Sequence, residues 1–292
     1  MHFILFFIFA LVFSLLINGL FLKFSRTMGT KNSTDNTEVR WASTTKPAFG
    51  GISLYIVFLL SFAVFAIVFA SEQIPLKFFG ILIASSIGFL VGLADDAYNT
   101  KPILKFLGQF ACAVVLILTD NFITLFDNEF LNYAITFFWV VGMMNSINML
   151  DNMDGITTSV SIGVISTVLF ALVITEGTNN LYFWVLLGTL ASLFGFLYYN
   201  WNPSRMYMGD TGSQFLGVLL AAVGISFFWN GHEFKDTSIW AKIITPILAF
   251  LPSIIDTTTV TINRLLRGQS PFVGGRDHTT HHLSYLGLKD RH

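Results

Sequence analysis

Residues 77–97 have the sequence KFFGILIASSIGFLVGLADDA, a long apolar run followed at once by two carboxylates, Asp95 and Asp96. A membrane-spanning helix needs about 20 mostly apolar residues, and this run is close to that length. Ionisable side chains beside hydrocarbon are costly, and where they occur they usually serve a function. The stretch therefore predicts a transmembrane helix that ends at a functional site.

The whole chain has the composition of a polytopic membrane protein. Of its 292 residues, 54% are hydrophobic and only 11% are charged, whereas soluble domains typically carry about 25% charged residues. The net charge of −1 gives no electrostatic basis for a nucleic-acid partner. The single cysteine, Cys112, lies in an apolar run, where it is expected to pack as a small hydrophobe.

Nine apolar runs are candidates for membrane spans. The first is too long for a signal-peptide core of about 7–15 residues and has no basic flank before it, so it is interpreted as a span. We therefore predict an all-α fold with one membrane-embedded domain over residues 1–292, about nine transmembrane helices and catalytic cytoplasmic loops. The expected spans are 3–22, 49–70, 77–93, 102–119, 131–147, 156–175, 181–199, 212–230 and 239–262.

Lysine and arginine are distributed unevenly among the connectors between these spans. Thirteen of the 16 lie in alternate connectors, and three lie in the others. Because positively charged loops stay in the cytoplasm, this bias predicts an outside N-terminus. Four short polar segments then fall on the cytoplasmic face. Transporters tend to place ionisable residues near the bilayer midplane, so this placement favours chemistry between a cytosolic substrate and a lipid.

The first polar segment is the pair Asp95 and Asp96, followed by Lys105 at the start of the next span. Adjacent side chains point to different sides of a helix, so the two carboxylates need not share one site. One is expected to contact a cation, and the other to orient or deprotonate a reacting group. Lys105 would neutralise a phosphate. The alternative is a charged helix end with an interfacial anchor.

The second segment contains Asn148, Asp151 and Asp154, with Asn145 upstream. Steps of three residues keep side chains roughly on one helix face. Hard oxygen ligands at this spacing suit Mg²⁺ with phosphate, or a ribose and base that need hydrogen bonds. An interfacial turn with Asx caps is the alternative.

The third segment places Asp210 between Gly209 and Gly212, just before a span. The glycines leave the carboxylate unobstructed, and it is predicted to ligate a metal. Thr211 and Ser213 can cap the following helix, whose first amides attract phosphate. These two interpretations are compatible.

The fourth segment contains Arg276, Asp277, His278, His281 and His282. Its cationic hydrogen-bonding groups suit a pyrophosphate. A zinc site of histidines and Asp277 would lack a fourth ligand nearby. A solvated basic tail is the alternative.

Together these segments resemble the polyprenyl-phosphate N-acetylhexosamine-1-phosphate transferase family, known as glycosyltransferase family 4. The resemblance runs from about Lys46 to Leu288 and favours the GlcNAc-1-phosphate branch over the phospho-MurNAc-pentapeptide branch. It is carried by Lys46 to Gly51, Gly92 to Asp96, Lys105 to Gln109, Asn148 to Gly155, Asn200 with Pro203, Met208 to Ser213, Pro252 with Asp256, Ser270 to Phe272, and Arg276 to Leu283.

The resemblance implies that a polyprenyl phosphate attacks the sugar-linked phosphate of a UDP-N-acetylhexosamine and that UMP leaves. It also implies a magnesium cofactor, with manganese as the alternative, a plasma-membrane location, cell-envelope polysaccharides such as O-antigen as the destination, and a homodimer as one option. The implied catalytic residues are Asp95, Asp96, His278 and His281, and the implied metal ligands are Asp210 and Asp154. The implied substrate-binding residues are Lys105, Asn145, Asn148, Asp151, Asp154, Asn200, Tyr207, Arg276 and His282.

Three departures from the family pattern stand out. Asn99 replaces a lysine of the MurNAc branch, which argues against a MurNAc-pentapeptide donor. Thr280 replaces a histidine found in many relatives, and a related subgroup shares it. The chain ends nine residues after Leu283, so it is expected to lack the family's final transmembrane helix or helices.

Two other functions remain open at this point. A CDP-alcohol phosphotransferase also uses Asp-x-x-Asp-Gly, which Asp151 to Gly155 matches, but Ile156 and Thr157 follow instead of Ala-Arg. A membrane transporter of nucleotide-sugar or lipid-linked cargo, or an inactive truncated relative, is the non-enzyme alternative.

Overall fold

A computed structural model of the chain describes residues 2–27, 46–68, 74–231, 238–270 and 277–285. Within these ranges the protein is helical and contains no β-strand. α8 continues into a π-helical turn over Gly224–Trp229. The helices are α1 (His2–Thr27), α2 (Gly50–Val68), α3 (Leu76–Tyr98), α4 (Pro102–Leu118), α5 (Glu129–Leu150), α6 (Ile156–Thr175), α7 (Leu181–Asn200), α8 (Gly209–Val223), α9 (Ile239–Ala249), α10 (Leu251–Leu266) and α11 (Thr279–Tyr285).

Seven of the described helices are long and apolar enough to cross a membrane: α1, α2, α3, α5, α6, α7, and α8 with its π-helical turn. α9 and α10 would together make an eighth span, but they are bent by 82°. α4 is a shorter apolar helix of 17 residues. The prediction of an all-helical polytopic membrane protein is confirmed. The ninth expected span, 239–262, differs because it is a bent pair of helices.

The bend between α9 and α10 lies at Phe250, which is fully buried. Pro252 follows in the first turn of α10, where its missing N–H costs nothing but its ring prevents α9 from continuing straight. The Phe250 ring packs against Trp139 of α5 and Phe228 of the π-helical turn, at centroid distances of 5.4 and 5.7 Å. The bend is therefore fixed by the aromatic core.

α8 is the most deeply buried helix near the predicted site. Its residues from Thr211 to Val223 are all buried, and it packs against α2, α3 and α5. A Cβ on Gly92 would lie 2.1 Å from the carbonyl oxygen of Asp210, and a Cβ on Gly51 would lie 2.2 Å from the Gly212 nitrogen. Because these glycines have no side chain, α2 and α3 approach the α8 backbone closely and hold Asp210 in place.

A tight turn joins α3 to α4. Asn99 adopts a left-handed conformation (φ 49°, ψ 67°), which asparagine tolerates better than most residues. Its N–H donates to the Asp95 carbonyl at 2.8 Å, and Pro102 begins α4 just beyond. The turn brings the first turn of α4 beside the last turn of α3.

Candidate active site

Four polar side chains meet where α3, α4, α5 and α8 end or begin, and we call them the Asp210 cluster: Asp95, Lys105, Asn148 and Asp210. Lys105 Nζ lies 3.0 Å from Asp95 Oδ2, 3.0 Å from Asp210 Oδ2 and 3.4 Å from Asn148 Oδ1. Asn148 Nδ2 donates to Asp210 Oδ1 at 2.5 Å. Two carboxylates and an amide oxygen therefore share one ammonium group.

The carboxylates of the cluster are held by their local surroundings. Asp210 lies in the first turn of α8, where the helix dipole favours negative charge. Asp95 Oδ1 accepts hydrogen bonds from the Thr100 N–H at 3.0 Å and from Thr100 Oγ1 at 2.5 Å. The Asp210 side chain is 32% exposed and that of Asp95 12%. Asp210 is thus the more accessible of the two to a ligand.

Asp96 makes a different set of contacts from its neighbour Asp95. Asp96 Oδ1 accepts from the Asp210 N–H at 3.0 Å, and Asp96 Oδ2 accepts from the Thr211 N–H at 2.8 Å and Thr211 Oγ1 at 2.6 Å. The first amides of a helix lack intrahelical partners, so Asp96 caps α8 from another helix. Its predicted catalytic role stays a prediction beside this observed cap.

Asp154 joins two loops on the same side of the molecule. Asp154 Oδ2 accepts from the Ser204 N–H at 2.9 Å and from Asn202 Nδ2 at 3.2 Å, and Asp154 Oδ1 accepts from Ser204 Oγ at 2.6 Å. In the described structure it makes none of the contacts of the Asp210 cluster. The loop after α5 is therefore tied to the loop after α7 through the residue predicted as the second metal ligand.

Asn200 and Tyr207, which were predicted to bind substrate, take part in folding the loop after α7. Asn200 is only 3% exposed, and its Oδ1 accepts from the Gly155 N–H at 3.1 Å while its Nδ2 donates to the Met206 carbonyl at 3.0 Å. The Tyr207 ring centroid lies 5.0 Å from Lys46 Nζ. Asn200 thus shapes the loop, and Tyr207 presents a ring beside a cation.

Asp151 lies just beyond the end of α5 and carries an unusual pKa. Burial raises its pKa to about 7, and repulsion from the carboxylates of Asp210, Asp96 and Asp154 acts in the same direction. Burial near three carboxylates therefore favours the protonated form of Asp151. Its predicted role as a nucleotide contact stays a prediction.

A second polar group, the Asp256 clasp, consists of Asp256, His278, Thr279, Asn152 and Thr280. Asp256 Oδ2 lies 2.8 Å from His278 Nδ1, and Asp256 Oδ1 accepts from the Thr279 N–H at 2.8 Å and Thr279 Oγ1 at 2.6 Å. Asn152 Nδ2 lies 3.5 Å from Asp256 Oδ2, and Thr280 Oγ1 donates to Asn152 Oδ1 at 2.8 Å. The clasp brings His278 to the loop that carries Asp151 and Asp154.

A buried ion pair holds the start of the same C-terminal segment. Arg264 Nε and Nη2 donate to the two carboxylate oxygens of Asp277 at 2.8 and 2.7 Å, and these bonds hold the pKa of Asp277 below its usual range. His282, which was predicted to bind substrate, is exposed on α11. Arg276 and the His281 side chain lie outside the described residues.

Several residues that complete these contacts were not predicted as site residues: Thr100, Gln109, Asn152, Asp256 and Arg264. Asp256 carried an available signal, because a lone carboxylate inside the apolar run 239–262 is costly. Arg264 and Asn152 become visible only once the C-terminal segment is packed against α10. Asn145, predicted to bind substrate, lies one turn from Asn148 and bonds to Gln109 Oε1 at 2.9 Å.

Whether the Asp210 cluster fits a divalent cation depends on its donor atoms. Among the described residues, no three His, Cys, Asp or Glu side chains are arranged as a ready metal site. The oxygens of Asp95, Asp210 and Asn148 do converge on one cation, the Lys105 ammonium group. Carboxylate and amide oxygens are the hard ligands that Mg²⁺ prefers. The type of donor therefore fits magnesium.

The fold and the site together define a class of protein: a polytopic helical membrane protein whose carboxylates, lysine and histidine gather at one set of helix ends. Comparison with known proteins places it within that class. The family profile described as glycosyl transferase family 4 matches residues 78–228. The chain belongs to this family, as its sequence motifs predict, and it is a membrane glycosyltransferase.

Individual relatives share about a third of their aligned residues with this chain. A probable undecaprenyl-phosphate N-acetylglucosaminyl 1-phosphate transferase of Bacillus subtilis (strain 168) is 30% identical over 255 residues, covering 84% of this chain and 67% of the relative. A phospho-N-acetylmuramoyl-pentapeptide-transferase of Staphylococcus carnosus (strain TM300) is 32% identical over 203 residues, covering 61% of each. Its counterpart in Staphylococcus aureus (strain JH9) is 31% identical over 204 residues, again covering 61% of each chain. The matched region thus spans about two thirds of these relatives' length or less.

Proposed function

We propose that this protein transfers N-acetylhexosamine-1-phosphate from a UDP-sugar to undecaprenyl phosphate and releases UMP. GlcNAc-1-phosphate is the proposed group, because the relative with the longer alignment is named for that transfer and because Asn99 departs from the MurNAc branch. The product, a lipid diphosphate sugar, would start the synthesis of a lipid-linked cell-envelope glycan.

The observation that carries this proposal is the position of Lys105 between Asp95 and Asp210. Phosphoryl transfer requires mainly that the reactants are positioned and that charge on the phosphate oxygens is neutralised. The Asp210 cluster places one ammonium group, which can contact phosphate, beside two carboxylates, which can hold an accompanying cation, at the ends of four helices. Such an arrangement suits a phosphate compound that meets a lipid at the membrane surface.

The proposed reaction forms one bond and breaks one. A phosphate oxygen of the lipid bonds to the sugar-linked phosphorus, and the bond from that phosphorus to the bridging oxygen of UMP breaks, so that UMP leaves with the electron pair. Asp95 would orient or deprotonate the lipid phosphate, and Lys105 would neutralise phosphate charge. Asn148 and Asp151 would contact the nucleotide, while His278, held by Asp256, would face the sugar phosphate.

We further propose a divalent cation, Mg²⁺ or alternatively Mn²⁺, at this site. Asp210 would hold it, because the Asp210 side chain is the more exposed carboxylate of the cluster, and Asp154 is the second predicted ligand. When bound, the ion would neutralise diphosphate charge.

The proposed location is the plasma membrane, with the site on the cytoplasmic face and the N-terminus outside. The Asp210 cluster lies at helix ends that the distribution of lysine and arginine assigns to the cytoplasm, and the Asp256 clasp joins α10 to the loop after α5 and the segment after α10, which the same distribution assigns to that side.

Lipid-dependent UMP release tests the proposal. Detergent-solubilised protein is given Mg²⁺ and UDP-GlcNAc, with or without undecaprenyl phosphate, and UMP is measured. We expect UMP only when the lipid is present, and its loss when EDTA is added. If UMP is released only with UDP-GalNAc or UDP-MurNAc-pentapeptide, that nucleotide sugar replaces UDP-GlcNAc as the proposed donor. No lipid-dependent release with any of these donors would contradict the reaction, and UDP-sugar uptake into vesicles without UMP would indicate a transporter.

A further inference from the structure

Three amide side chains form a layer one helical turn farther into the membrane than the Asp210 cluster. We call Gln109, Asn145 and Gln214 the amide layer. Gln109 follows Lys105 by four residues on α4, Asn145 precedes Asn148 by three on α5, and Gln214 follows Asp210 by four on α8. Three of the four helices of the cluster therefore carry an amide about 5–6 Å from their cluster residue.

Hydrogen bonds connect the three amides across the helices. Gln109 Nε2 donates to Asn145 Oδ1 at 3.2 Å, and Asn145 Nδ2 donates back to Gln109 Oε1 at 2.9 Å. Gln109 Nε2 also donates to Gln214 Oε1 at 3.1 Å. Gln109 is thus the centre of the layer, because it bonds to both α5 and α8.

Burial makes these bonds effective constraints on the helices. Gln109 is 1% exposed and Gln214 is fully buried, so water cannot readily replace a bond that is lost. A rotation or slide of α4 would separate Gln109 from both partners at once. The same movement would carry Lys105 away from Asp95 and Asp210, since Gln109 and Lys105 lie on one face of α4.

The amide layer is uncharged, whereas the Asp210 cluster is charged, so the two groups have different roles. An amide has donors and an acceptor but no net charge, so the layer fixes distances between helices without competing for the ammonium group of Lys105. Gln214 Nε2 finds no hydrogen-bond partner within the described structure. Because both donors of this buried NH2 group are unsatisfied, the bond that Gln214 Oε1 accepts from Gln109 is the hydrogen bond that Gln214 contributes to the layer.

We propose that Gln109 is a positioning residue: through Asn145 and Gln214 it holds Lys105 in register with Asn148 and Asp210 for phosphoryl transfer. The effect on turnover rests on the transferase function proposed above, whereas the effect on the position of Lys105 does not. Gln109 itself touches no reacting atom.

The experiment replaces Gln109 with methionine, which is similar in length and flexible but forms no comparable hydrogen bonds. Gln214→Met is the milder second variant, because it removes one bond together with an NH2 group that has no partner, and it is used if Gln109→Met does not fold. Asn18→Leu is the matched control. Asn18 is a fully buried amide on α1, and among the described residues its hydrogen bonds stay within its own helix, to Ser14.

Two measurements are made on full-length protein in detergent. Reductive methylation followed by peptide mass spectrometry gives the labelling rate of Lys105 relative to exposed Lys101. Steady-state kinetics give kcat and KM for UDP-GlcNAc. We expect Gln109→Met to speed Lys105 labelling and to lower kcat about 10- to 100-fold with little change in KM, as for other supporting residues around a site. Asn18→Leu should leave both measurements unchanged even where its Tm falls.

Unchanged Lys105 labelling in a folded Gln109→Met protein would overturn the proposal whatever the activity. Faster labelling with wild-type kcat would overturn the part that concerns turnover. If wild-type protein released no UMP with any donor, the proposed function would fail, and the labelling result would still decide whether Gln109 positions Lys105.

Discussion

The Asp210 cluster and the Asp256 clasp contain similar residue types, but their carboxylates are satisfied differently. In the cluster, Asp95 and Asp210 share the one ammonium group of Lys105, and the Asp210 side chain is 32% exposed. In the clasp, Asp256 accepts from both donors of Thr279 and lies 2.8 Å from His278 Nδ1, and its side chain is 1% exposed. The cluster therefore has negative charge left for an incoming cation, whereas the clasp is a closed set of contacts that positions a histidine.

The largest expected loss of activity comes from a change in the Asp210 cluster, where the Asp210 side chain is partly exposed. Asp210→Asn keeps the size of the side chain but removes the charge, and we expect UMP release to fall about 1000-fold or more. Asp127→Asn, which changes an exposed carboxylate just before α5, at the opposite end of that helix from Asn148, should retain activity. Undiminished turnover in a folded Asp210→Asn protein would remove Asp210 from the mechanism and end the distinction between the two regions.

A smaller loss of activity is expected from a change in the Asp256 clasp. Asp256→Asn weakens the hold on His278 and Thr279 without touching the cluster, so we expect kcat to fall about 10-fold, at the low end for supporting residues. The matched control is Thr257→Val on the same helix, which removes the contact with Ser146 Oγ at 2.8 Å. A loss as large as that of Asp210→Asn would place Asp256 among the reacting groups.

The comparison also bears on what could be predicted from the sequence. All nine apolar runs coincide with helices, because hydrocarbon imposes both length and composition on a span. The bend at Phe250 could have been anticipated from Pro246 and Pro252 within the run 239–262. Its angle could not, since the angle depends on how the Phe250 ring packs against Trp139 and Phe228.

In the candidate site, too, some features could be predicted from the sequence and others could not. The residues Asp95, Lys105, Asn148 and Asp210 were all predicted from polar segments at span ends, and the structure brings them together. The different directions of Asp95 and Asp96 also follow from helix geometry. The cap that Asp96 provides and the amide layer around Gln109 could not be derived, because they depend on which helices pack against α8.

The smallest expected effect concerns the Arg264–Asp277 pair and pH. Its hydrogen bonds lower the pKa of Asp277 in the folded state. The pair therefore contributes stability above the ordinary aspartate pKa of about 3.9, and that contribution is lost as the pH falls through the lower folded pKa. Between about pH 6 and pH 3, we expect the Tm of wild-type protein to fall more than that of Asp277→Asn. Parallel curves for the two proteins would show that the pair adds no pH-dependent stability.

The cap on α8 has a consequence for how the protein is made. Asp95 meets Lys105 after ten more residues, but the amides that Asp96 caps lie 114 and 115 residues further along the chain. At ribosomal speeds of about 5–20 residues per second, that interval lasts on the order of ten seconds. During this time the Asp96 carboxylate at the end of α3 awaits its partners, so insertion of α8 is the step of biogenesis that completes the Asp210 cluster and its cap.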